Sequence, residues 1–390
     1  MLLTTLCTGE EVHRYKQSIV VFFNGKRKTL ATSPHNGGYR ENLTAVFNND
    51  ATRGAGIATK LDAPTYAEHM MLLSKKLGLD PDKSAGLSTA AQMECVSIKS
   101  ESYKDITVTA IVTGGVEVNG GRAGDPATWD ELENKAIEMP PHGTINIILH
   151  INVDLSEGAL TRAMIMSTEA KSVALQELLA PSRYSMGIAT GSGTDGTIIV
   201  ANADSKIHLT NAGNHVKLGE LIGRTVKDAV TEALILQTRL SPEYQHNVLN
   251  RVDRFGITDD LLWERYESSP NDGLNRARFS DRLDEVVRRD SLVTFTSLYA
   301  HLIDQLMWGL LSPGEVLLAA DVLLHAMEMP PLENQNSKKA TKRVRKQPVD
   351  KSDSLHMLLG ALICGLLSLL GAGETENAKD QVMTEIDDNI

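Results

Sequence analysis

Apolar and polar positions alternate with period two along 106–113, where Ile106, Val108, Ala110 and Val112 share one face. That spacing predicts a strand with one face buried. Residues 144–152 repeat the pattern. Ile145, Ile147, Leu149 and Ile151 point one way; Asn146, His150 and Asn152 point the other, with Ile148 among them. The second face reads either as a solvated sheet surface or as the lining of a pocket. Further strands are predicted at 45–47, 94–99 and 197–202. Apolar runs at 18–23 and 29–32 flank Asn24-Gly25, which predicts a β-hairpin with a type I′ turn.

The period lengthens to that of a helix over 64–79, 156–179 and 216–237. Pro64 and Gly78 bracket the first, and Ser156 is placed to cap the second. In the second helix Arg162, Glu169 and Gln176 share a stripe with Met166 and Val173. Glu169 is therefore expected to be partly buried, either ion-paired or serving a site. In the third, Gly219 and Gly223 would let another backbone approach closely. The order of elements predicts an α+β fold, a mixed β-sheet covered by helices, rather than a doubly wound parallel sheet. Past residue 240 strand signals vanish, and helices are predicted at 275–289, 292–311 and 313–328. The expected domains are 1–240, an all-helical extension at 241–336, a basic linker at 337–352, an apolar helix at 353–373 and an acidic tail at 374–390.

Composition narrows the function classes. A net charge of −11 argues against nucleic acid as the main partner. Three scattered cysteines without a CxxC fit a reducing cytoplasm. The apolar stretch 355–370 is broken by Gly360 and Gly365 and is shorter than the roughly 20 residues of a spanning helix. It reads as a buried helix, so no membrane partner is expected.

The candidate chemistry gathers in two glycine-rich segments. In 113–125 five glycines carry Glu117, Asn119, Arg122 and Asp125 among them. Glycine at such density marks backbone that must turn or approach a ligand, although a long surface turn has the same look. The second segment, 184–196, contains Gly191, Gly193 and Gly196 in the spacing of a dinucleotide fingerprint. A strand rather than a helix follows, so no helix N-terminus would face a pyrophosphate.

With Asn36-Gly37-Gly38, residues 112–119 and 121–126, Gly143–Ile147, Thr168–Lys171, Ser182–Ser185, Ala189–Asp195 and Lys217–Gly223, these segments resemble the CbiZ-type adenosylcobinamide amidohydrolases across about 15–238. The resemblance implies hydrolysis of the aminopropanol amide of adenosylcobinamide to adenosylcobyric acid in corrinoid salvage. It implies no required cofactor, since the substrate itself carries cobalt. The expected partner is a corrinoid, with self-association into a homo-oligomer as a further expectation. A corrinoid-binding protein without turnover, or a scaffold, are the rival readings.

Amide hydrolysis needs a nucleophile, stabilisation of the developing oxyanion and an acid for the leaving amine. By residue type and matched motif, Glu117 or Glu169 is the candidate base and Lys171 or Arg122 the oxyanion partner. Thr194, beside Asp195, is a candidate nucleophile. Asn36, Gly37, Gly38, Asn119, Arg122, Asp125, Asn146, His150, Tyr184, Gly191 and Gly193 are candidate substrate contacts. His35 and His150 are guesses for an approach to cobalt. Ion pairs, loop caps and contacts to corrin amides are the plain alternatives. There is no GxSxG, no HExxH and no metal-ligand spacing of histidines.

Overall fold

The structure is a computed structural model. It describes residues 1–52, 61–130, 132, 133, 135, 136, 143–332 and 350–372. The expected acidic tail and all but the last three residues of the basic linker lie outside the described residues. The chain divides into two compact units, Met1–Tyr184 with Ile188–Ser241, and Ser185–Gly187 with Pro242–Ile390.

In the first unit the strands before the first helix are β1 (Leu2–Thr5), β2 (Glu11–Tyr15), β3 (Ser18–Phe22), β4 (Arg27–Ala31), β5 (Gly38–Arg40) and β6 (Ala45–Asp50). Then come β7 (Ser84–Thr89), β8 (Ser97–Tyr103), β9 (Ile106–Gly115), β10 (Gly120–Gly121), β11 (Trp129–Asp130) and β12 (Lys135–Ala136). The rest are β13 (Thr144–Ile151), β14 (Asp154–Leu155), β15 (Gly191–Ser192), β16 (Gly196–Asn202) and β17 (His208–Leu209). Eleven of them build two stacked mixed sheets, and the rest form three two-stranded pairs. The first sheet has the order β1-β2-β3-β6-β7 and the second β5-β4-β16-β13-β9-β8. Each is antiparallel apart from one parallel pair, β6–β7 and β13–β16.

The two-residue period explains the stacking. Ile19, Val21, Val46 and Leu87 meet Ile111, Ile148, Ile198 and Val200 between the sheets. On the outer face of the second sheet Val112, Ile145, Ile147 and Leu149 pack against α2 (Glu157–Glu177) and α3 (Lys217–Thr238). On the outer face of the first, Val20, Ala45 and Phe47 pack against Met70 and Leu77 of α1 (Tyr66–Leu77). The layers run helix, sheet, sheet, helices. Each Ile or Leu removed from water in these layers contributes about 1.5–3 kcal/mol.

The helix ends follow the sequence. Thr65 and Glu68 form a capping box on α1, and Gly78 closes it at φ 80°. Ser156 caps α2 by accepting from Ala159 N. Buried Ala163, Ser167, Ala170 and Ala174 line α2. A Cβ on Gly219 would lie 2.0 Å from Gly213 O, so the expected close backbone approach occurs there.

The hairpin at Asn24-Gly25 does not form. β3 and β4 belong to different sheets, and β4 pairs with β16 and β5 instead. Gly25 takes φ 103°, Lys26 N donates to Asp204 Oδ2 at 2.7 Å, and Arg27 turns inward to Glu10, so the chain crosses between sheets. The strand expected at 94–99 begins only at Ser97, after a 3₁₀ turn at Met93–Cys95.

Among its described residues the second unit is built from helices: α4 (Val248–Val252), α5 (Asp259–Ser268), α6 (Arg276–Val286), α7 (Asp290–Met307), α8 (Pro313–Ala326) and α9 (Lys351–Leu369). Phe279, Tyr299, Leu358, Leu362 and Leu366 are among its core residues. α9 is long and apolar enough to cross a membrane. One face of it is buried in this core, where Tyr299 Oη donates to Leu358 O at 2.8 Å. Arg254 clamps Asp304 through two bonds of 2.6 and 2.7 Å.

Candidate active site

Strand register brings the two glycine-rich segments together. Gly115, at the end of β9, pairs with Thr144, at the start of β13, and Asn146 pairs with Gly196, at the start of β16. The loop after β9 and the loop before β16 therefore leave the same end of the second sheet. They join directly: β10 pairs with β15, Gly120 opposite Ser192 and Gly121 opposite Gly191. Thr190 N donates to Gly121 O at 2.9 Å, and Ala123 N to Thr190 Oγ1 at 3.0 Å. Two of the glycines sit in close contact. A Cβ on Gly120 would lie 2.7 Å from Pro181 O, and one on Gly191 2.6 Å from Lys171 Nζ.

Under that junction lies an ion pair. Lys171, from α2, bonds Asp195 Oδ2; the two side chains are 10% and 12% exposed. Asp195 also accepts from Ile145 N at 2.8 Å, Ser192 N at 3.0 Å and Ser192 Oγ at 2.7 Å. Both carboxylate oxygens are thus fixed by charge-assisted or backbone donors, and the ammonium is aimed by them. Thr194 is exposed at the loop tip and its Oγ1 donates to Gly143 O at 3.0 Å. That bond directs the hydroxyl proton inward and leaves oxygen lone pairs free to face outward.

The rim is tied down in the same way. Asn119 is buried; its Nδ2 donates to Gly143 O at 2.7 Å and its Oδ1 accepts from Tyr184 Oη at 2.6 Å. Asp125 Oδ2 accepts from Ser182 Oγ at 2.6 Å and from Arg122 N at 2.7 Å, which leaves the Arg122 side chain exposed. Gly193 and the Glu117 side chain are exposed, and Glu117 O accepts from Arg183 Nε at 2.6 Å. Glu117, Asn119, Arg122, Asp125, Lys171, Tyr184, Gly191, Gly193, Thr194 and Asp195 thus belong to one loop cluster and the helix beneath it.

The remaining candidates have other surroundings, although the Asn36 turn follows β4 and so leaves the same end of the second sheet. Glu169 is exposed, not partly buried. It precedes Lys171 by two residues, about 200° around the helix, so it faces away from the pair. Asn36 adopts φ 54° and spends its amide on Pro81 O and Ser84 O, at 2.7 and 2.8 Å. Gly37 fits closely, since a Cβ there would meet Ser33 O at 2.1 Å, and Gly38 takes φ 74°. That turn is bound to the start of β7. His35 Nε2 also lies 2.8 Å from Pro81 O.

The polar face of β13 is neither solvated nor a pocket wall, because the first sheet covers it. Asn146 donates to Asn48 Oδ1 at 2.7 Å and to Ser88 O at 2.9 Å, and it lies directly beneath Gly196. His150, four residues along the strand and so about 13 Å away, is fully buried in a different cluster. Its Nε2 lies 2.9 Å from Thr8 Oγ1 and 3.4 Å from Glu10 Oε1, and Glu10 is bonded by Arg27. Burial alone would raise the Glu10 carboxyl. Hydrogen bonding and charge from His150, with a bond from Thr8, outweigh it and hold the carboxyl down to about 2.

Ser192 is the site residue that residue type did not single out. Its spacing to Asp195, serine three positions before a carboxylate, is the available signal, since that geometry lets the hydroxyl and amide bond one acid. Among the described residues no three His, Cys, Asp or Glu side chains converge as metal ligands would.

Residues 3–242 match the profile of the CbiZ family, described as adenosylcobinamide amidohydrolase. An uncharacterized protein of Methanocaldococcus jannaschii, MJ1613, is 32% identical over 234 residues, 57% of this chain and 88% of that protein. A protein of Methanosarcina mazei named adenosylcobinamide amidohydrolase is 30% identical over 235 residues, 58% of this chain and 98% of its own length. Among solved structures, the PH0078 protein of Pyrococcus horikoshii OT3 aligns over 55% of this chain and 76% of its own at 14% identity, with a TM-score of 0.30, too slight a likeness to bear on function. The matched span encloses both sheets, the Lys171–Asp195 pair and both glycine-rich loops, and the chain belongs to the adenosylcobinamide amidohydrolase family.

Proposed function

We propose that this chain hydrolyses the aminopropanol amide of adenosylcobinamide to adenosylcobyric acid, at the loop cluster on the end of the second sheet. The observation that carries the reading is the Lys171–Asp195 pair held beneath the β10–β15 junction, inside the span that matches the family. In the reaction the C–N amide bond breaks, the acyl carbon gains hydroxyl from water and the nitrogen leaves as an amine with the proton. The Lys171 ammonium stabilises charge developing on the carbonyl oxygen. Asp195 positions that ammonium. The Thr194 hydroxyl, with its proton already engaged by Gly143 O, is the nucleophile or the group that aligns water. Glu117, exposed on the facing loop, takes a proton from the attacking water and passes it to the leaving nitrogen. The exposed Arg122 side chain, with Asn119 and Tyr184 in the rim, suits a substrate rich in peripheral amides.

One observation favours the rival of corrinoid binding without turnover. Asp195 is fully occupied by its donors, as a purely structural acid would be. Incubation of the purified chain with adenosylcobinamide, with and without chelator, separates the two. Adenosylcobyric acid and free aminopropanol on chromatography support hydrolysis. A shifted corrinoid spectrum without product supports binding alone, and neither result sinks both.

A further inference from the structure

The second unit carries an apolar face that its own core leaves uncovered. On α8, Leu318 is 73% exposed and Val322, one turn on, 65%. The turn before this helix exposes Trp308 and Leu310 as well. Singly exposed apolar residues are ordinary, whereas Leu318 and Val322 adjoin one another on successive turns of one helix.

The order of residues on that face says what fits it. Leu318 and Val322 lie two positions either side of Ala320. Glu315 and His325 lie five positions either side, and Gly314 and Ala326 six. All six are exposed, with Gly314 and Ala326 at the margins of the face. A sequence symmetric about its midpoint is self-complementary when two copies run antiparallel. Leu318 then stands level with Val322 of the other copy, and Glu315 level with His325. Small Gly314 and Ala326 at the ends let the two helices close. The Glu315 carboxylate is fixed on this face, because Oε2 accepts from Ser312 N at 2.8 Å and Ser312 Oγ at 2.6 Å.

We propose that the exposed face of α8 is a homodimer surface, on which a second copy of this chain docks antiparallel about a two-fold axis that passes between Leu318 and Val322, level with the buried Ala320. The contact is isologous, with an apolar centre of Leu318 and Val322 and a Glu315–His325 pair at each end. Charge complementarity between the two ends of one helix selects a second copy over an unrelated apolar partner.

Sedimentation velocity on the full chain tests this. The expected result is a dimer whose dissociation constant rises about tenfold or more for Leu318→Glu, with the thermal melt unchanged when both chains are dilute enough to be monomeric, because the side chain is exposed. His325→Glu, which sets two carboxylates level, should weaken the dimer, and His325→Arg should strengthen it. A wild-type chain that stays monomeric at about 100 µM, or a dimer indifferent to Leu318→Glu and His325→Glu alike, overturns the proposal. If Leu318→Glu lowers the melt, the paired His325 variants decide the matter alone.

Discussion

Two buried ion pairs in the first unit have the same chemistry and opposite surroundings. Arg27–Glu10 lies between the sheets with side chains 1% and 0% exposed. Lys171–Asp195 lies at the sheet end with 10% and 12% exposed. The inner pair is enclosed by Asn24 O, Asn202 and His150. The outer pair lies against Gly191, where a Cβ would meet both Lys171 Nζ and Asp195 Oδ2, and Ser192 of the same loop bonds the carboxylate. Burial of charge therefore does not by itself mark a site. What distinguishes the outer pair is that two glycine-rich loops converge over it.

The inner pair gives the largest expected effect. Removing one partner of a buried pair strands the other charge, at a cost of about 3–5 kcal/mol. Glu10→Gln should lower the thermal midpoint strongly while the folded fraction retains its turnover. Acid sharpens this. Glu10 titrates lower in the folded chain than in the unfolded one, so the unfolded state binds more protons as pH falls. Its stabilisation is complete above the ordinary glutamate range and is lost as pH falls from about 4.5 towards about 2. Urea titrations at pH 7 and pH 3 should show a larger loss in wild type than in Glu10→Gln. An equal loss would mean that the acid sensitivity resides elsewhere.

The outer pair should behave in reverse. Lys171→Met removes the ammonium from the site, and turnover should fall by about 10²–10³-fold, with a smaller change in the melt than Glu10→Gln gives. Steady-state kinetics beside differential scanning calorimetry reads both. A variant that unfolds yet turns over normally when folded would make the two pairs alike and the comparison empty.

How much of this contrast was legible in the chain differs by scale. Local chemistry was readable where it is enforced locally. Ser156 and Gly78 end helices where their side chain or φ angle requires it, whereas the first helix starts at the Thr65–Glu68 capping box and not at Pro64. The alternation in 144–152 correctly separated Ile147 and Leu149 from Asn146 and His150. It could not say that a second sheet would cover the polar face, although Ile148 among those polar residues was a sign of burial. Asn24-Gly25 misled because the turn preference is weaker than the tertiary bonds that draw Lys26 to Asp204 and Arg27 to Glu10 and Asn202. The junction of the two glycine-rich loops rests on pairing across about seventy residues, which no periodicity reports. Glu10 and Arg27 carried no pattern at all.

Within the outer site, Ser192 and Thr194 divide the work and can be told apart. Ser192 Oγ donates to Asp195, while Thr194 Oγ1 donates to Gly143 O and is exposed. Thr194→Ala should cost about 10²-fold in turnover if the hydroxyl attacks or aligns water. Ser192→Ala removes one of the bonds that hold Asp195, and about tenfold is expected. The reverse ranking would make Ser192 the attacking group and Thr194 a loop tie.

The smallest expected effect tests whether exposure on α2 has been read rightly. Glu169 lies in the same matched motif as Lys171, so motif reasoning gives it equal weight. Helix geometry does not, because two residues rotate the side chain by about 200° and carry it to the solvent side. Glu169→Gln should leave turnover within about twofold and the melt unchanged, as surface substitutions generally do. A loss beyond about tenfold would require a substrate large enough to wrap around the helix and meet that face. The active site would then extend past the loop cluster, and the contrast between the two ion pairs would describe only its floor.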